Sequence, residues 1–145
     1  VTGATQHHPH FRVGDEVLGI AAGCLKTYAT TSCLLLTHKP SNMTFEQAAA
    51  QPVVFTTVQH ALGDLAQLKQ GQNVLIHAAT GGVGLTAVNY AKRVGATVFA
   101  TAGSQEKQDY LRSLGVQLVA SSRDPKVFRD ALVSWTGEHG FVDTV

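Results

Sequence analysis

The chain has 145 residues, 44% of them hydrophobic, and 11 Lys+Arg against 10 Asp+Glu give a formal net charge of +1. A chain of this length can bury one sizeable core or two small ones, hiding about 70% of its unfolded surface, while the near-neutral balance and the lack of a long basic run argue against a nucleic-acid partner. No apolar stretch approaches the roughly 20 residues of a bilayer-spanning helix, and no basic segment leads into an apolar block at the N-terminus, so a cytoplasmic protein without a membrane partner is expected.

Residues 1–40 carry short apolar runs among Gly and Thr. "EVLGIAA" at 16–22, after a turn at Gly14-Asp15, and "CLLLTHK" at 33–39 read as strands. Cys24 and Cys33 are too few for a disulfide framework and match no zinc-lobe spacing, so both are expected as small buried apolar groups. From Ser41 the texture changes. Thr44 with Gln47 has capping-box spacing and predicts a helix of about two turns that stops at Pro52. Val58, Ala61, Leu62, Leu65, Ala66 and Leu68 then form a helical stripe over 56–68, closed by "KQGQ".

Beyond this the pattern alternates: strand 74–78, helix 82–94, strand 97–101, helix 105–114, strand 117–120, helix 125–135 and strand 141–145. Strands separated by helices imply right-handed crossovers and a parallel sheet covered on both faces. The expected fold class is α/β, a partial doubly wound (Rossmann) parallel sheet preceded by a β-rich part, with domains at 1–55 and 56–145. A chain that starts at Val1 and ends on a strand is expected to be a piece of a longer one.

In such a sheet the first strand-to-helix turn is the favoured place for a phosphate. Here it reads Ala79-Thr80-Gly81-Gly82-Val83-Gly84, the G-x-G-x-x-G fingerprint with alanine in the first position. Gly81 leaves room for a pyrophosphate near the backbone, Gly84 lets the helix pack on the strand, and the helix start stabilises the anion. A purely structural glycine turn is the alternative. No Gly-Lys-[Ser/Thr] follows, which excludes a P-loop, and Tyr90-Ala91-Lys92 lacks the Y-x-x-x-K spacing of a short-chain reductase.

The next strand selects the cofactor. An NAD site has an acid about 20 positions after the glycines. This chain has Thr101-Ala102-Gly103-Ser104 there, followed by Lys107, with Arg123 after the third strand. A neutral hydroxyl corner beside a cation suits a 2′-phosphate and therefore NADPH; Lys107 as an ordinary solvated lysine is the alternative.

Several motifs in order, "FRVGDEV", "EQAAAQPVVFTTVQHAL", "LKQGQNVLIHAATGGVG", "SQEKQDYLRSLGV", "SSRDPKVF" and "GFVDTV", resemble the enoyl reductase domains of modular polyketide synthases and animal fatty acid synthase. These belong to the zinc-free, quinone-oxidoreductase-like branch of the medium-chain dehydrogenase/reductase superfamily. The resemblance implies a GroES-like substrate domain before the nucleotide-binding domain, and NADPH as cofactor. The implied substrate is a 2,3-enoyl thioester on an acyl carrier protein, and the implied partners are neighbouring synthase domains. Hydride would reach the β-carbon, and the α-carbon would then be protonated.

On this resemblance the glycine turn maps onto Ala79, Gly81, Gly82 and Gly84, and the 2′-phosphate corner onto Ser104, Lys107 and Arg123. Thr57 maps to the threonine close to the nicotinamide, followed here by Val58-Gln59-His60 where the family has Ala-Tyr-Tyr. Tyr28 occupies the place of a tyrosine proposed to deliver the α-proton. Its phenol can donate to an enolate within hydrogen-bond reach, and half-buried packing is the alternative. The family's pattern extends before Val1 and past Val145, where it carries a lysine and an aspartate also proposed as catalytic.

Zinc dehydrogenases share this architecture, but no Gly-His-Glu appears, and "HHPH" at 7–10 has no partner at ligand spacing, so no metal is expected. Cys24 has no visible nucleophile partners, and Trp135 reads as helix core. Two further readings stand beside the synthase one: a free-standing quinone or enone oxidoreductase, and a non-catalytic dinucleotide-binding piece.

Overall fold

The computed structural model of the chain describes residues 1–3, 10–137 and 141–145. The chain divides into two compact units, Val1–Val54 and Phe55–Val145.

In the first unit, β1 (Val17–Gly19) pairs antiparallel with β2 (Leu36–His38), Leu18 facing Thr37. The single strand expected over 33–39 is shortened, because Cys33–Leu35 winds into a 3-10 turn capped by the Ser32 hydroxyl before β2 begins. The side chain of Lys39, the residue after β2, is almost fully buried. Its ammonium meets Glu16 at 3.0 Å, donates to the Met43 carbonyl at 2.7 Å, and lies 5.1 Å from the centre of the Phe45 ring. A buried cation is tolerable because each of its donors is satisfied.

The capping box forms in both directions. Gln47 N–H donates to Thr44 Oγ1 and Thr44 N–H donates to Gln47 Oε1, which starts α1 (Phe45–Val58). The helix does not stop at Pro52. It runs through the proline and continues as a π-helical stretch, Gln59–Leu65, so the two expected helices are one. Proline removes one helical hydrogen bond, and here the burial of Val58 and Leu62 beyond it carries the helix on. The wider π winding also rotates the expected apolar stripe: Leu62 and Leu68 are buried, whereas Leu65 is 71% exposed.

The second unit holds a parallel sheet of β3 (Asn73–Ile76), β4 (Thr97–Ala102) and β5 (Leu118–Ser121), in the order β3-β4-β5. Between them lie α2 (Gly82–Val94), α3 (Gln105–Ser113) and α4 (Pro125–Thr136). Val74, Val98 and Ala100 point to one face and join the cluster containing Val88 and Ala91 of α2 and Leu111 of α3. On the opposite face Phe99 stacks on Trp135 of α4 with ring centres 5.3 Å apart, and His77 meets Phe128 at 5.7 Å. Helices thus cover both faces, as a doubly wound sheet requires.

The strand expected at 141–145 is reduced to an isolated parallel bridge between Val74 and Thr144. The Asp143 carboxylate takes the Asn73 N–H at 2.7 Å, a backbone donor that a regular ladder would have used, although Leu75 N–H still reaches the Thr144 carbonyl at 2.8 Å. This segment lies on the side of β3 away from β4, so the order reverses at β3. That reversal is the switch point at which open α/β sheets take their ligands.

The Phe99–Trp135 contact joins α4 to the sheet, and Phe99 is 1% exposed. Phe99→Ala is expected to lower unfolding free energy by about 3–5 kcal/mol, measured by denaturant titration.

Candidate dinucleotide site

β3 reaches α2 through His77–Gly81, and the geometry of this turn follows from what it must avoid. A Cβ on Gly84 would lie 2.6 Å from the Ala78 carbonyl oxygen and 2.7 Å from Ala79 Cα, so only glycine lets the first turn of α2 sit on the strand end. Gly81 N–H donates to the Ala78 carbonyl at 2.9 Å, and Gly81 O accepts the first helical hydrogen bond, from Leu85, at 2.8 Å. The amides of Gly82, Val83 and Gly84 precede that bond and have no acceptor four residues back within the helix. Gly81 and Gly82 are exposed, Val83 is 44% exposed and Thr80 is half-buried.

The other helix starts are capped by side chains: α1 by Thr44 and Gln47, α3 by Ser104, and α4 by Asp124, whose carboxylate accepts from Lys126 and Val127. At α2 the cap is Gly81, with no side-chain hydrogen bond. An uncapped helix start facing open space presents aligned N–H groups and the positive end of the dipole, which fits an anion such as a pyrophosphate.

Two of the residues expected to touch the cofactor lie beneath the turn. Ala79 and Thr101 are each 0% exposed, and Ala79 N–H donates to the Thr101 carbonyl at 3.0 Å. The Thr101 hydroxyl is 3.0 Å from His77 Nδ1. Thr101 therefore supports the turn, because its side chain is covered by the sheet face and has no open surface.

The corner after β4 is open. Ser104 caps α3, its Oγ accepting from Lys107 N–H at 3.4 Å, which leaves the hydroxyl proton available to a ligand. The guanidinium of Arg123 lies across Gly103, where a Cβ would come within 3.0 Å of Nε. The third strand thus returns a cation to the end of the second, and Arg123 is placed more firmly at this corner than sequence spacing alone conveyed. Lys107 and Arg123 are exposed, and no ion pair among the described residues involves either. With no acid at Thr101–Ser104, the corner fits a phosphate better than a ribose diol.

Thr57 lies on the exposed side of α1 within the second unit. Tyr28 belongs to the first unit and is 72% exposed, so the half-buried packing alternative does not hold. It lines an open groove of about 580 Å³ with Ile20, Cys24 and Thr31. Cys24 is exposed and Cys33 is intermediate, so neither is the buried group expected. Of "HHPH", residues 7–9 lie outside the described residues, and the His10 carbonyl faces His38 Nε2 at 2.9 Å. Among the described residues no group of three or more His, Cys, Asp and Glu comes together to hold a metal ion.

Residues 82–145 match the family described as zinc-binding dehydrogenase. The described residues offer no ligand set that fits a zinc ion. Over 117 residues, 79% of the chain, it is 51% identical to the spectinabilin polyketide synthase system protein NorB of Streptomyces orinoci. It is 43% identical over 113 residues, 77% of the chain, to a mycocerosic acid synthase-like polyketide synthase of Mycobacterium tuberculosis. The chain spans 5% of the length of each.

Among solved structures, CurK enoyl reductase is 39% identical with a TM-score of 0.77, covering 90% of this chain and 39% of that one. A mycobacterial protein solved with NADPH gives 30% and 0.78, over 87% of this chain and 39% of that one. Over most of its length the chain is thus similar to polyketide synthases and to enoyl reductase structures.

Gly84→Ala is expected to force α2 away from the Ala78 carbonyl. Thermal unfolding should show the chain destabilised by about 1–3 kcal/mol, and NADPH titration should show weakened binding.

Proposed function

We propose that the chain is the cofactor-holding part of an NADPH-dependent enoyl reductase acting within a polyketide synthase, on a 2,3-enoyl thioester presented by an acyl carrier protein. The observation that carries this reading is the acid-free corner at Thr101–Ser104, where Arg123 lies across Gly103 beside Ser104 and Lys107. It adjoins an uncapped helix start within a fold shared with polyketide synthase enoyl reductases.

Each residue then has a separable duty. The amides of Gly82, Val83 and Gly84 hold the pyrophosphate against the positive end of α2. Ser104 donates its hydroxyl proton to the 2′-phosphate, and Lys107 and Arg123 neutralise its charge. Thr57 borders the nicotinamide. Tyr28 gives its phenolic proton to the α-carbon as the enolate collapses. When bound, NADPH supplies the hydride that adds to the β-carbon.

The similarity of 33% to a Pseudomonas syringae quinone oxidoreductase, against 51% to the NorB synthase, favours the synthase reading over a free-standing quinone reductase. Among the described residues no helix is long and apolar enough to cross a membrane.

Titration by nicotinamide fluorescence is expected to show NADPH binding more tightly than NADH. Arg123→Ala should raise the Kd for NADPH roughly tenfold while leaving that for NADH within about twofold. Equal losses for the two would remove the phosphate corner. Reduction of a crotonyl thioester, followed by loss of reduced-nicotinamide absorbance, tests the reaction. Tyr28→Phe should slow it by roughly a hundredfold or more at unchanged NADPH affinity. Binding without turnover by the unaltered chain would leave a dinucleotide-binding piece, and preference for quinones would favour the free-standing reductase.

A further inference from the structure

The glycine turn contains a backbone conformation that its own sequence disfavours. Ala78 sits at φ +48°, in the left-handed region that is costly to any residue bearing a Cβ. Strain of this kind persists only where the surroundings over-determine it, and it gathers at ligand clamps.

The surroundings here converge on one residue. Ala79 N–H, on the far side of Ala78, donates to the Thr101 carbonyl at 3.0 Å. His77, on the near side, places Nδ1 3.0 Å from Thr101 Oγ1. Thr101 is fully buried in β4, which is hydrogen-bonded to β3 on one side and β5 on the other. It is therefore a fixed post to which both flanks of the strained residue are tied. The Phe128 ring, 5.7 Å from the imidazole, limits its swing. His77 itself is exposed and lies outside the buried core cluster. Burial alone gives no account of an imidazole at this place.

We propose that His77 and Thr101 form a latch that preorganises the phosphate turn, which makes His77 a positioning residue for dinucleotide binding. The proposal rests on the reading of this turn as a dinucleotide site. The link forms with either neutral tautomer: the Thr101 hydroxyl donates to a bare Nδ1, or a protonated Nδ1 donates to the hydroxyl oxygen. Without the link, Ala78 relaxes toward negative φ, and the carbonyl that holds Gly81 N–H turns with it. The fraction of molecules with a binding-competent turn then falls, and the apparent Kd rises by the reciprocal of that fraction.

The test uses the full chain and two readouts: NADPH affinity by nicotinamide fluorescence, and hydrogen exchange of the Ala79 amide without ligand. His77→Ala and Thr101→Val should each raise Kd roughly fivefold to tenfold. They should speed Ala79 exchange by a comparable factor, while the Phe99 amide in the middle of β4 keeps its protection. His77→Asn, whose side-chain amide can occupy the position of Nδ1, should restore both to within about twofold of the unaltered chain.

Because His77 is exposed, His77→Ala keeps the question answerable even if Thr101→Val fails to fold. Unchanged Ala79 exchange in His77→Ala overturns the latch, as does a uniform rise in exchange across the sheet. A His77→Asn variant as weak in NADPH affinity as His77→Ala also overturns it, since that points to a direct contact from Nε2. If the unaltered chain binds no NADPH, the dinucleotide reading fails, whereas the exchange measurement needs no ligand and decides the latch by itself.

Discussion

The approach of α2 to the end of β3 sets the terms for the rest of the second unit. With the Ala78 carbonyl 2.6 Å from where a Cβ of Gly84 would stand, helix and strand meet with no side chain between them. That closeness buries Ala79 and seats the start of α2, which has no side-chain cap, directly on the strand end. A helix start held further off would need a longer connection, and the open amides would no longer converge near the switch point between β3 and the 141–145 segment. Val88 and Ala91 share one buried cluster with Val74 and Val98, so the core and the geometry of the turn both depend on that approach.

The electrostatics follow from what is missing at two places. No side chain caps α2, and no acid stands between Thr101 and Ser104. A capping carboxylate at the first place would fill the site with the protein's own anion. An acid at the second would repel a 2′-phosphate. The cations at that corner come from different elements, Lys107 from the first turn of α3 and Arg123 from the connection after β5. Their placement therefore depends on the whole sheet order and not on the glycine turn alone.

Much of this second unit was legible in the sequence because its signals are local. The alternation of apolar strands with helical periods predicts α2 to its observed bounds and the remaining boundaries from β3 to α4 within a few residues. The fingerprint also located the turn. What the sequence hid depends on distant partners. Pro52 reads as a stop, but the helix continues because residues beyond it are buried. The last strand is spoiled by a single carboxylate, Asp143, that competes for Asn73 N–H. The place of Arg123 over Gly103 follows only once β5 lies beside β4. Thr101, expected at the ligand, has a fully buried side chain, which depends on the elements packed over β4.

Alanine at position 79, the first place of the fingerprint, also finds its reason. The left-handed backbone that glycine usually supplies in such a turn falls one residue earlier, on Ala78, and position 79 needs no glycine. The conformational cost is thereby moved to a residue whose two neighbours are tied to Thr101. A turn with glycine at 78 would adopt this shape at less cost but would also lose more entropy on ordering. With alanine the unfolded turn has fewer alternatives, and hydrogen bonds to a buried strand supply the difference. On the proposed reading, affinity for the cofactor rests largely on residues of the second unit, whereas proton delivery draws on Tyr28 of the first. Changes at the turn should then move binding, and changes at the phenol should move chemistry, with little crossover between them.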